Sequence, residues 1–264
     1  MKDPKKNNSS GIPLAIIVLV LVGVVVGGWW LYSSSTSPTA GNGNTSRNNS
    51  NTVRNTIPTN APAGATPPNM LGSPTASVTV EEFADFQCGS CAAVHPVLKE
   101  IQSTYGSRIK FIFRNFPLQM HDKAYDAAVA VEAAGIQGKF WAMQDQLFMN
   151  QQTWASPSAN HKQLWSEYAQ KIGLDVDRWQ NDIIGMAAKN RVDQDMARGR
   201  ALNVSSTPSI YINNQPVPYP EMNVMGLRRI IDAELQKSSA SQGTQTAPPA
   251  SNTSNTTSNV SPAR

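Results

Sequence analysis

Cysteine and histidine are scarce in this chain: two and three, respectively, among 264 residues. Zinc is usually held by four ligands, most often two cysteine pairs or one pair plus closely spaced histidines. Here there is no second pair, and His95, His121 and His161 show no such spacing. Charge is lacking in two places. Residues 12–32 carry none, and residues 33–76 carry only Arg47 and Arg54 in a Ser, Thr, Asn, Pro, Gly and Ala background. A basic excess is also missing where it would matter. The net +4 of the chain comes from its ends and linker, because residues 77–237 hold 16 Lys plus Arg against 17 Asp plus Glu, a net of −1. That balance gives no basic footprint for nucleic acid.

What is present is one pair, Cys88-Gly89-Ser90-Cys91, between a strand-like run (Val78, Val80, Phe83, Phe86) and a helix-like one. Such a pair binds metal, cycles between dithiol and disulfide, or stays idle. The missing ligands weigh against metal, and an exposed pair at a helix start is reactive by nature. Redox cycling is the reading that remains strongest. A helix beginning at Cys88 offers free N–H groups and the positive end of its dipole to a thiolate. Thiols so placed ionise at about 3.5–7.5, against about 8.5 for a free cysteine. Cys88 is then the attacking sulfur and Cys91, one turn on, the resolving one. Glu82 shares a strand face with Val78, Val80 and Ala84, where burial raises a carboxyl pKa and suits it to take the Cys91 proton. The alternative is a solvated Glu82 on an edge strand. A chain without further cysteines also avoids mispairing during exchange.

These residues carry a resemblance. The stretch Glu82-Phe83-Ala84-Asp85-Phe86-Gln87-Cys88-Gly89-Ser90-Cys91, with Pro96 five positions on, resembles the thioredoxin superfamily, and more closely its DsbA-like extracytoplasmic thiol–disulfide oxidoreductases. Phe113-Arg114-Asn115-Phe116-Pro117 with His121 resembles the family's second strand and its exit. Gln137-Gly138-Lys139-Phe140-Trp141 is similar to its helical insertion, and Thr207-Pro208-Ser209 to its cis-proline loop. The resemblance spans residues 78–237. It implies an α/β thioredoxin-like fold with an inserted helical subdomain at about 120–204. It also implies a substrate-binding role for Thr207 and Pro208, with His121 lining the groove, and no cofactor beyond the Cys88–Cys91 disulfide. Cysteine-containing exported proteins are the implied substrates, and a DsbB- or VKOR-type membrane oxidase the recycling partner. The Gly-Ser dipeptide departs from the Pro-His of the strongly oxidising member and leaves the potential open.

Residues 1–11 hold Lys2, Lys5 and Lys6 against Asp3, and residues 12–32 are apolar enough to cross a roughly 30 Å hydrocarbon core, closing on Trp29, Trp30 and Tyr32. We read a single-pass anchor of a bacterial cell membrane, with the N-terminus cytoplasmic and the catalytic domain outside. A cleaved signal peptide is the competitor, disfavoured by the length of the run. Residues 33–76 read as a flexible tether and 238–264 as a disordered tail. Within the domain, periodicity predicts strands at 78–86 and 109–113, a helix at 90–105 kinked near Pro96, and helices from 121 to 203. A hairpin follows, turning at 213–216 with a second strand at 217–219, and then a last helix at 225–235. His95 reads as structural or solvated rather than as tuning the thiolate. Two other functions stay open: a reductase or isomerase of the same fold, and a tethered peptide-binding module without turnover.

Overall fold

The computed structural model describes residue 58 and residues 60–243. The expected segments 1–11 and 12–32 lie outside the described residues. Among the described residues five strands form one sheet: β1 (Asn69–Gly72), β2 (Val78–Ala84), β3 (Ile109–Asn115), β4 (Ser209–Ile212) and β5 (Gln215–Pro216). Their order is β1-β3-β2-β4-β5, with β2 and β3 parallel and every other pair antiparallel. Helix α1 (Gly89–Tyr105) makes the crossover that the parallel pair requires. Between β3 and β4 come α2 (Ala124–Ile136), α3 (Phe140–Met149), α4 (Gln151–Trp154), α5 (His161–Lys171), α6 (Val176–Ile184) and α7 (Met186–Ala201). Helix α8 (Val224–Gly243) closes the element order.

The period-2 pattern of β2 divides the interior. Val78, Val80, Glu82 and Ala84 face the larger core, which they share with Ile109, Phe111 and Phe113 of β3 and with the buried stripe of α1. That stripe runs Cys91, Val94, Leu98, Ile101, Tyr105, alternating steps of three and four, so one helix face meets the sheet. Each such aliphatic residue contributes about 1.5–3 kcal/mol by burial. Pro96 lies inside α1, where its ring removes one helical hydrogen bond. Helix α8 lies beside α1, with Tyr105 Oη donating to Asp232 Oδ1 (2.8 Å). On the other face Phe83 packs with Phe116, Leu202, Val204 and Tyr211. Helix α7 comes so close there that a Cβ on Gly199 would sit 2.5 Å from the Phe116 ring.

Three expectations need correction. The tether does not run to residue 76. Residues 69–72 form β1 by pairing with β3, with Leu71 against the core, and ahead of them polar groups of the domain grip residues 62–65, where Ala65 is buried. Arg114 donates to the carbonyls of Ala63 (2.8 Å) and Ala65 (3.0 Å), Arg198 to that of Pro62 (3.0 Å), and Ala65 N–H to Asp195 Oδ1 (2.8 Å). Glu81 clamps both arginines, at 2.8 Å to Arg114 and 2.7 Å to Arg198. Burial alone would raise the Glu81 pKa, but the two guanidiniums hold it below its usual value. The hairpin turns on Asn213 and Asn214 alone, at φ 46° and 67°, so β5 is Gln215–Pro216 and not 217–219. Asparagine tolerates the left-handed region that this two-residue turn demands, and a 3-10 turn at Tyr219–Glu221 begins at the last residue of the expected strand. The last helix begins at Val224 and runs to Gly243, eight residues past the expected end. Ser238 and Ser239 return their hydroxyls to the carbonyls of Glu234 and Leu235, so a serine-rich composition did not stop it.

Candidate active site

The cysteine pair sits where the C-terminal end of β2 turns into α1. Cys88 is the N-cap residue, in extended conformation, and Cys91 lies one turn in, on the stripe facing the sheet. The helical period alone therefore sets two depths: Cys88 keeps 8% of its surface and Cys91 none. Both are free thiols. Cys88 Sγ–H points to the Thr207 carbonyl at 3.3 Å. The Thr207–Pro208 peptide is cis, as the family resemblance implied, and Thr66–Pro67, on which no expectation rested, is cis as well.

The electrostatics separate the two sulfurs. The Cys91 thiol donates toward Cys88 and lowers its pKa most. Burial opposes this, and the Thr207 hydroxyl and the backbone N–H groups of Cys91 and Ser90 add to the lowering, leaving Cys88 near about 5. The Thr207 hydroxyl is buried without a partner while Cys88 is a thiol. Ionisation of the sulfur gives that hydroxyl an acceptor. Cys91 goes the other way: burial pushes it far up, and the hydrogen bond and charge of Cys88, with the Glu82 charge, push further. Glu82 is 2% exposed, and burial raises its pKa to about 8. It lies in a fully paired central strand between β3 and β4, which excludes the solvated edge-strand alternative. A carboxyl ionising near neutrality beside a resolving thiol can accept its proton.

Cys88, Cys91, Glu82 and Thr207 thus come together, with Pro208 beside them. His121 does not reach the sulfurs by hydrogen bonding. Its Nδ1 binds Asp85 Oδ2 at 2.7 Å. Asp85 is the residue that sequence reasoning passed over. Its Oδ1 accepts from Gln87 N–H (2.7 Å), its Oδ2 from Leu118 N–H (2.8 Å), and its carbonyl from Cys88 N–H (3.1 Å). Gln151 of α4 was also missed; its Nε2 donates to the carbonyls of Phe86 (2.8 Å) and Cys88 (2.9 Å). Only the Asp at position −3 from Cys88 was a signal within reach; Gln151 is 63 residues away and had none. His95 pairs through Nε2 with Asp145 (2.9 Å) and stacks on Phe148 at 4.8 Å, a structural placement. Among the described residues no group of three or more His, Cys, Asp or Glu comes together as a metal site.

A family model described as thioredoxin matches residues 65–233. The chain belongs to the thioredoxin family. Its fold is that of DsbA-like thiol–disulfide oxidoreductases. It is similar to Wolbachia pipientis alpha-DsbA1, with a TM-score of 0.58 and 19% identity over 67% of this chain and 95% of that one. It is similar also to oxidised BdbD from Bacillus subtilis, with a TM-score of 0.55 and 24% identity over 67% and 98%. Among curated proteins it is 32% identical over 153 residues to Na(+)/H(+) antiporter NhaA 1 of Mycolicibacterium gilvum. That match takes in 56% of this chain but only 23% of the antiporter. The chain thus spans less than a quarter of the curated relative's length.

Proposed function

We propose that this thioredoxin-family chain is an extracytoplasmic thiol–disulfide oxidoreductase that introduces disulfides into exported proteins through Cys88 and Cys91. The observation that carries the reading is the Cys88 thiol, acidified to about 5 at the α1 N-terminus, with a buried Cys91 behind it. A sulfur that is stable as a thiolate is a good leaving group, and it favours the reduced pair, which makes the oxidised pair an oxidant.

The steps follow from the two depths. A substrate thiolate attacks Cys88 Sγ in the Cys88–Cys91 disulfide, the S–S bond breaks, and Cys91 leaves as a thiolate that takes a proton from Glu82. A second substrate thiolate then attacks the substrate sulfur of the mixed disulfide and expels Cys88 as a stable thiolate. Two electrons pass from two substrate thiols to the pair. The substrate backbone docks beside Thr207, where an extended peptide can add as a strand. The reduced pair is reoxidised by a membrane oxidase of the DsbB or VKOR type, and residues 12–32 anchor the domain to the membrane. Ion antiport is no part of the proposal, since the match covers so little of the antiporter.

The test is the reduction potential of the pair in the full chain, equilibrated with glutathione buffers. A value near about −120 mV supports the oxidase, and one near about −270 mV assigns a reductase instead. Cys88→Ser should abolish turnover; retained activity would point to a peptide-binding module.

A further inference from the structure

The reactive sulfur stands at a junction that its neighbours in sequence hold weakly. Residues 85–88 form a turn, closed by the Cys88 N–H on the Asp85 carbonyl at 3.1 Å. Helix α1 then starts at Gly89, a residue with wide backbone freedom. A Cβ there would meet nothing within 4 Å among the described residues, so packing does not hold the Gly89 peptide either. As a thiol, Cys88 makes no side-chain capping bond to α1. Its thiolate is favoured by the Ser90 and Cys91 N–H groups, and those groups stay on the sulfur as long as the Cys88 ψ stays near its observed 120°.

That rotation carries the Cys88 carbonyl, and the carbonyl is held from the helical insertion. Gln151 Nε2 donates one hydrogen to it (2.9 Å) and the other to the Phe86 carbonyl (2.8 Å). The Cys88 carbonyl also accepts the first helical bond, from Ala92 N–H at 3.2 Å, so both its lone pairs are committed. The amide is itself fixed in place. Gln151 is buried on the single turn of α4. Trp154 of that turn is fully buried, with its Nε1 on the Leu147 carbonyl at 2.7 Å. Phe148, near the end of α3, lies against Phe86 with ring centroids 4.8 Å apart. Both amide hydrogens of Gln151 thus go to the loop that carries the cysteine.

We propose that Gln151 is a positioning residue for the Cys88 sulfur: by holding the Phe86 and Cys88 carbonyls on its amide, it keeps their negative ends turned from the thiolate and the α1 N–H groups turned toward it. The proposal rests on the reading of Cys88 as the attacking thiolate, and it gives that thiolate a support in the insertion. The strand–helix–strand unit supplies the sulfur and the N–H groups, while a residue 63 positions away fixes the angle between them. Two effects act in the same direction. Removing the amide frees the Cys88 ψ, and it leaves two carbonyl dipoles unopposed beside the forming charge. Each makes the thiolate harder to form.

The test is the Cys88 ionisation midpoint, read as thiolate absorbance of the reduced full chain in detergent. The variant is Gln151→Met, which keeps the side-chain length and loses both donors. The midpoint should rise by about 0.5–1 unit, and the equilibrium with glutathione should move about three- to tenfold toward the disulfide. Tyr105→Phe, which removes a hydrogen bond at the far end of α1, is the control; it should weaken the fold and leave the thiolate midpoint in place. Gln151→Asn, one methylene too short to bridge both carbonyls, replaces Gln151→Met if that variant does not fold. An unmoved thiolate midpoint in a folded Gln151 variant overturns the proposal, and so does an equal shift in Tyr105→Phe. Failure of both Gln151 variants to fold also overturns it, by assigning the residue to the fold alone. A wild-type midpoint near about 8.5 sinks the reading of Cys88 itself, whereas a low wild-type midpoint with an unmoved variant removes only Gln151.

Discussion

If Cys88 ionises near about 5 in the folded reduced protein, its charge must appear in the stability of that protein. The perturbation is pH, with Cys88→Ser as the reference that removes the titrating group and leaves the rest. In the unfolded chain the thiol ionises near about 8.5. The folded pKa is depressed, so the contribution is fully present above about 8.5 and is lost as pH falls through about 5. Between those limits the difference between the reduced wild type and Cys88→Ser should grow by about 1.4 kcal/mol per pH unit. From pH 5 to pH 7 that amounts to a ceiling of about 2.7 kcal/mol, and the sulfur's low exposure argues against heavy screening. The same energy favours the dithiol over the disulfide, so it raises the reduction potential by about 60 mV at pH 7. Urea unfolding of both proteins under reducing conditions, at half-unit steps from pH 4 to 8, measures the difference directly. Thiolate absorbance gives the midpoint in parallel. Two parallel stability curves, or a midpoint near 8.5, would refute the reasoning.

Other perturbations follow the same geometry. Thr207→Val removes the buried hydroxyl that acquires an acceptor when Cys88 ionises, and should raise the Cys88 midpoint by up to about one unit; thiolate absorbance decides. Glu82→Gln should stabilise the protein at pH 7 by about 1–3 kcal/mol. The folded pKa of Glu82 is raised to about 8, so the cost of keeping it protonated grows as pH rises from about 4.3 toward 8. The same variant should slow closure of the Cys88–Cys91 disulfide from a mixed disulfide, and an unchanged closure rate would remove Glu82 from the proton path. Asp195→Ala strips acceptors from Arg114, from Ala65 N–H and from Asn115 N–H. It should cost about 3–5 kcal/mol and expose residues 60–68 to proteolysis, which unfolding midpoints and cleavage rates report. Gly199→Ala should cost about 1–3 kcal/mol by forcing the Phe116 ring aside.

Local signals were the legible ones. Cys88 and Cys91 stand at a strand-to-helix junction that period and spacing locate within a residue, and the face of β2 that carries Glu82 could be read from its alternation with Val78, Val80 and Ala84. Thr207 and Pro208 were reached through the family resemblance. What escaped was held by distant side chains. β1 is only four residues long, and residues 62–65 ahead of it are fixed by Arg114, Arg198 and Asp195, none of which announces a partner more than 45 residues away. The orientation of His121 is set by Asp85, 36 residues earlier, a pairing that nothing beside either residue announces. The hairpin was misregistered by two residues because Asn213 and Asn214 make the turn alone.

Under the proposed function, the unequal depth of the two sulfurs also acts as a clock. Cys91 has no exposed surface, so an incoming partner can become attached only at Cys88. Once attached, it is in a race. Its own second thiol completes the transfer, or Cys91 turns back on Cys88 and ejects it unchanged. Burial that holds Cys91 protonated slows that ejection, and Glu82, poised near about 8, sets how fast it comes. A client with two cysteines close at hand finishes within the dwell; one whose second cysteine is far away or buried is let go. Under the proposed function, clients are thereby sorted by how quickly they can present a partner sulfur, without any need to recognise their sequence.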